Sequence, residues 1–311
     1  MTKHVVVVTY GEPSKPGFGD QLAYSWQLMQ GVARSTADIA WPLVPAIALS
    51  RAFERNSLWR KHAYRSPLEP ITMAQAAQLR NALARRSQDQ WKIHVAYEFR
   101  EPYLIEALRR LPRKEMVIVV PMYAADSGFT HDLSRQSAEY LDTRRPAPII
   151  VLKPLDVERL ASISANHVMH MLSAGKERAP QTALVLAARG SLLKPSKEIE
   201  TGRATLERLH QGIARRLSGS FGMVANGWLN HGRADRWTAP PIEDTLARVS
   251  EAGFTDVVYY PYGFLADNAE SQLHGQLAAT RRPELKVRFV PCLNGSFELA
   301  EAIASEVMAA R

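Results

Sequence analysis

The chain has 311 residues, 46% hydrophobic and 23% charged, an ordinary globular composition that excludes collagen-like, low-complexity and disordered classes. Its single cysteine, Cys292, excludes an internal disulfide and an iron–sulfur cluster held by one chain, and fits a reducing compartment. Lys and Arg number 39 against 31 Asp and Glu, a formal charge of +8, so the surface favours anions: nucleic acid, an anionic membrane face or a small acid.

The first apolar run, Val5–Val8, is too short for a secretory signal, and no uninterrupted apolar stretch long enough to span a bilayer follows. A cytoplasmic protein is expected. In chain order, strands are expected at Val5–Thr9, Lys92–Ala96, Met116–Val120, Pro148–Leu152, Thr182–Ala187, Asp256–Tyr260 and Lys286–Val290. Several are continuous apolar runs, the pattern of parallel strands buried on both faces.

Helical patterns lie between them. Ala40–Leu49 (AWPLVPAIAL) is an apolar segment broken by prolines, either a buried helix start or an apolar lip that touches a membrane surface. Arg51 to Arg65 is the densest basic stretch, but no RNA motif, zinc finger or helix-turn-helix accompanies it, so nucleic acid is not expected. Thr72 and Gln75 make a capping-box pattern ahead of Ala76, Leu79 and Leu83. Pro102 is expected to open a helix holding Leu104, Ile105, Leu108 and Leu111. Pro241 opens another that stops at Gly253.

His167 and His170 stand three apart on an expected helix, where a solvated face competes with a metal-ligand pair. Gly190-Ser191 reads as a tight turn before it reads as a phosphate loop. No P-loop or dinucleotide fingerprint is present.

The strand–helix alternation implies an α/β fold with parallel sheets. Val5–Gly11 and Val185–Gly190 are each an apolar strand running into a glycine turn. The echo suggests two similar Rossmann-like, doubly wound lobes with a cleft between them, joined near Asp142–Pro148. Residues 1–145 would form the first lobe and 146–294 the second, with 295–311 a helix packing back on the first. Ligands in such sheets bind beyond the carboxyl ends of strands, where Tyr10 and Arg189 fall.

Several segments, in order, resemble the ferrochelatases. They are Tyr10-Gly11-Glu12-Pro13, Ser66-Pro67-Leu68, Glu101-Pro102-Tyr103, Gly227-Trp228 through Trp237-Thr238-Ala239-Pro240, Tyr260 through Glu270, and Pro291-Cys292-Leu293-Asn294. Members of that family insert ferrous iron into a porphyrin. The resemblance implies a chelatase-type fold, a role in haem biosynthesis, ferrous iron as substrate, porphyrin or haem as ligand, and no tightly bound cofactor.

The family uses a strand-end histidine facing a glutamate. Glu270 matches the glutamate, but Arg189 stands at the histidine. A guanidinium neither accepts a proton nor binds a cation, and it would pair with Glu270. A second histidine of some members aligns near Phe99, and another aligns with Asn268. His231 is a substitute metal ligand or else a surface loop residue, and Tyr10 is an axial candidate. Tyr10, Trp26, Tyr123, Trp228 and Tyr262 are candidates to stack on the macrocycle, and Ser66, in a matching segment, is a further porphyrin-binding candidate. Arg51, Arg65 and Arg189 are candidates to pair with propionates. Two readings stand open: a working chelatase, or a lapsed paralogue that binds porphyrin or haem as carrier, sensor or partner of an active homologue.

Overall fold

Val5–Val8 are buried on both faces because they are the interior of a central strand, β1 (Thr2–Thr9). The computed structural model describes residues 2–35, 39–144, 146–172, 180–194, 200–230 and 236–310. After β1 come α1 (Phe18–Ser35), α2 (Val44–Lys61), α3 (Leu68–Arg86), β2 (Gln90–Tyr97), α4 (Leu104–Arg109), β3 (Val117–Pro121), α5 (Gly128–Arg144) and β4 (Ile149–Val151). These strands form one parallel sheet in the order β2-β1-β3-β4. Val6, Val8, Val117 and Val119 pack with Leu104, Leu108 and Leu133. Each such aliphatic side chain contributes about 1.5–3 kcal/mol when fully buried.

The second sheet repeats the plan. Its elements are α6 (Val157–Leu172), β5 (Thr182–Arg189), α7 (Arg203–Leu217), β6 (Met223–Leu229), α8 (Ile242–Glu251), β7 (Asp256–Tyr260), a π-helical turn (Glu270–His274), α9 (Gly275–Thr280) and β8 (Lys286–Phe289). The order is β6-β5-β7-β8, again parallel. The final helix, α10 (Phe297–Ala309), packs on α3, where Arg85 and Arg86 hold Glu301 at 2.7 and 2.6 Å. The first compact unit takes in Met1–Pro154 and Gly295–Arg311, the second Leu155–Lys194 and Thr201–Asn294.

The expected α/β class with doubly wound parallel sheets is therefore present, and β1 and β5 hold the same place in their sheets. In each unit the chain moves from the first strand to one side and then crosses to the other. That puts the topological switch point between β1 and β3, and between β5 and β7. Crevices for ligands open at such points, beyond the carboxyl ends of the strands.

Several local expectations are corrected. Strand β6 was not expected, because Asn226-Gly227 interrupts its apolar run. A Cβ on Gly227 would lie 2.6 Å from Ile242 Cδ1, so the glycine admits the close approach of α8. Thr72 is not a cap. Helix α3 begins four residues earlier, where Ser66 Oγ accepts from Leu68 N and Pro70 tolerates the first turn, and the Thr72 hydroxyl donates to Leu68 O. Pro102 does not open α4. Tyr103 is its N-cap, Glu106 accepts from Tyr103 N, and the helix stops at Arg109, before Leu111. His167 is not on a solvated face, since its ring lies 2.9 Å from Pro291 O and beside Tyr260. Pro241 and Gly253 do bracket α8, with Gly253 at φ +87°.

Candidate functional site

In the second unit, Arg189 is the last residue of β5 and Glu270 opens the π-helical turn after β7. Arg189 Nε lies 3.8 Å from Glu270 Oε1, with side-chain exposures of 27% and 15%. Strand order makes the pair: β5 and β7 are hydrogen-bonded neighbours, so residues beyond their carboxyl ends meet. The turn at Gly190 is tight for a packing reason, since a Cβ there would lie 1.8 Å from Asn230 Oδ1.

The tryptophan-containing stretch braces that turn. Gly190 N donates to Leu229 O, Thr238 N donates to Ser191 O, and Asn230 Nδ2 donates to Thr238 O. On the other side, Asn268 Oδ1 accepts from the N–H groups of Glu270 and Ser271 at 2.8 and 3.0 Å. Asn268 thus caps the turn that presents Glu270. Asp267 ties this segment to the loop after β8, accepting from Cys292 N at 3.0 Å and Asn294 Nδ2 at 2.7 Å. Burial pushes the Cys292 thiol well up, which keeps it neutral.

In the first unit the switch point is aromatic. Gly11, at φ +74°, lets the chain turn directly after Tyr10. The Tyr10 ring lies edge-on to Tyr123 at 4.6 Å and to Phe129 at 6.1 Å, and stacks on Phe99 at 6.2 Å. The Tyr123 hydroxyl donates to Glu98 Oε2. Burial first, then the charge of Glu98, pushes the Tyr123 phenol well above its usual value. Ser66 is buried and donates to Glu12 Oε1, while the Arg55 guanidinium lies 3.6 Å from Glu12 and 4.6 Å from the Tyr24 ring centre.

The remaining candidates scatter. Arg51 and Arg65 are exposed, and Trp26 is half-buried. Trp228 and Tyr262 lie inside the second unit at 2% and 1% exposure, and the Asn226 side-chain amide donates to Tyr262 Oη and accepts from Trp228 Nε1. His231 lies outside the described residues, as does residue 145 of the expected join. Among the described residues no group of three or more His, Cys, Asp and Glu could hold a metal ion. Glu98 and Arg55 were not expected at the site, although Glu98 carried a signal in its place just past an expected strand end, and Asn230 and Thr238 were expected only as parts of the tryptophan-containing stretch.

The Ferrochelatase family model matches residues 2–311. The coproporphyrin III ferrochelatase of Geobacillus thermodenitrificans is 28% identical over 216 residues, covering 66% of this chain and 67% of that protein. Among solved structures, SirB from Bacillus subtilis with Fe3+ superposes with a TM-score of 0.55 at 14% identity, covering 99% of this chain and 95% of that one. CbiX, the terminal enzyme of siroheme biosynthesis in denitrifying bacteria, has a TM-score of 0.54 at 16% identity and 99% coverage of both chains. These structural likenesses show the chelatase fold.

Proposed function

The chain belongs to the ferrochelatase family, and we propose that it inserts ferrous iron into a porphyrin as a step of haem biosynthesis, with Glu270 as the carboxylate that handles protons or metal. The supporting observation is the position of Glu270: a half-buried carboxylate at the β5/β7 switch point, on a turn capped by Asn268. Metal insertion removes two N–H protons from the macrocycle and delivers a dication to its face. A carboxylate can relay the protons or hold the ion. The half-buried Tyr10 supplies aromatic surface, backed by the buried Tyr123, and the exposed Arg51 and Arg65 suit propionates as bidentate partners. Ferrous iron is substrate here, and no resident cofactor or iron–sulfur cluster enters the reading.

One observation favours a second reading. Arg189 sits within ion-pair distance of Glu270 and cannot replace a histidine as proton acceptor or ligand. A lapsed paralogue would hold porphyrin or haem as carrier, sensor or partner of an active homologue. Porphyrin titration by absorbance, followed by anaerobic insertion of ferrous iron or zinc, separates the two. Turnover lost in Glu270→Gln supports the enzyme. Binding without turnover supports the lapsed form, and no porphyrin binding removes both.

The exposed apolar side chains of Ala40–Leu49, extended along α2 to Phe53, suit a peripheral contact with a membrane surface, which is a further part of the proposal. Trp41 is 56% exposed, Leu43 55%, Leu49 51% and Phe53 66%.

A further inference from the structure

Insertion needs an acceptor for the protons that leave the macrocycle, and at the end of β5 Arg189 cannot be one. The first unit carries a carboxylate at the corresponding end of its own sheet. Glu98 directly follows β2. Its N–H donates to Thr9 O at 2.9 Å, and Phe99 N donates to Tyr10 O at 3.0 Å, so Glu98 is anchored one strand from Tyr10. From the opposite side, Tyr123 follows β3, which Met122 N anchors to Val8 O at 2.8 Å. The Tyr123 hydroxyl donates to Glu98 Oε2, while its ring edge meets Tyr10. Three adjacent strand ends therefore hold one half-buried carboxylate beside an aromatic face, with a buried phenol fixing its orientation. A buried phenol that strongly resists ionisation stays a donor and leaves Glu98 the acceptor.

We propose that Glu98 is a catalytic proton acceptor of this protein and that Tyr123 is its positioning residue. The proposal rests on the insertion reading above. A macrocycle N–H bond breaks, and its electron pair stays on nitrogen to bind the divalent metal. The proton forms an O–H bond on Glu98 and passes to solvent before the second N–H breaks. Free-base porphyrin and a dication thus become metalloporphyrin and two protons, with no change of oxidation state.

The test is zinc insertion followed by absorbance, beside fluorescence titration with the metal-free porphyrin, for the whole chain and for Glu98→Gln, Glu98→Asp and Tyr123→Phe. Glu98→Gln should keep the porphyrin Kd within about threefold and lower kcat by ~100-fold or more. Glu98→Asp should recover part of the rate. Tyr123→Phe should move the acid limb of the rate profile to higher pH, because a lost donor disfavours the ionised carboxylate. The assignment is overturned if Glu98→Gln binds porphyrin and turns over within about threefold of the unmodified chain. It is equally overturned if Glu98→Gln and Glu98→Asp lose binding and turnover together, which would make Glu98 structural. If the unmodified chain binds porphyrin but inserts no metal, the insertion reading fails and takes this one with it. Failure of Glu98 alone leaves unmodified turnover intact.

Discussion

Arg189 and Glu270 set a permanent cation beside a carboxylate at the carboxyl ends of β5 and β7. At 3.8 Å the guanidinium holds the carboxylate and repels an incoming dication. Arg189→His removes that repulsion and adds an acceptor, so zinc-insertion kcat should rise at least about tenfold, and Glu270→Gln should abolish the gain. A second residue-scale effect lies on the same sheet as Tyr10, at its amino end. His4 Nδ1 lies 3.0 Å from His94 Nε2, and His4 Nε2 meets Glu115. Burial first, then His4 and Lys92, lowers the His94 pKa below 6.5. The folded state therefore binds that proton less readily than the unfolded chain. Stability is full above about pH 6.5 and declines as pH falls below it. Thermal unfolding at pH 7.5 and 5.5 should show a drop that is smaller in His94→Gln.

Elements carry the site by their ends. Asp267 locks the Glu270 segment to the loop after β8 while buried itself. Asp267→Ala strands the Cys292 N–H and should cost about 1–3 kcal/mol, or roughly 3–10 °C in Tm by circular dichroism. Asp267→Asn retains an acceptor and should cost less. Most strands were legible because parallel strands are apolar throughout, and the expected Asp256–Tyr260 coincides with β7. Strand β6 was not, since its Asn226-Gly227 serves contacts with Tyr262 and α8 that only the packed unit defines. The start of α3 was misplaced because Thr72 and Gln75 fit a cap pattern locally, while Pro67 is the N-cap and Ser66 Oγ accepts from Leu68 N at 3.1 Å.

At the scale of the molecule, net charge and exposed apolar side chains bear on one question. The chain carries +8, and α2 holds the exposed Leu49 and Phe53 four residues apart, with Arg60 seven residues beyond Phe53 on the same helical face. Among the described residues no helix is long and apolar enough to cross a membrane, so contact of this kind would be peripheral. Vesicles containing anionic lipid should sediment with the protein at low salt and release it at 1 M salt, where the Debye length falls to about 3 Å. Neutral vesicles, or Leu49→Glu with Phe53→Glu, should bind far less.

By itself the sequence determined the two strand–turn units, the family's ordered motifs, and an arginine, Arg189, at the end of the second unit's first strand. Those are local facts: an apolar run, a glycine after it, a residue type at a strand end. The expected Arg189–Glu270 pair is present at 3.8 Å, but only the tertiary structure decided that Tyr123 holds Glu98 beside Tyr10 and that Asn268 and Thr238 brace the turns. Each of those contacts joins residues on different strands or loops. Strand order and register, not sequence spacing, set which side chains meet beyond the carboxyl ends of a parallel sheet.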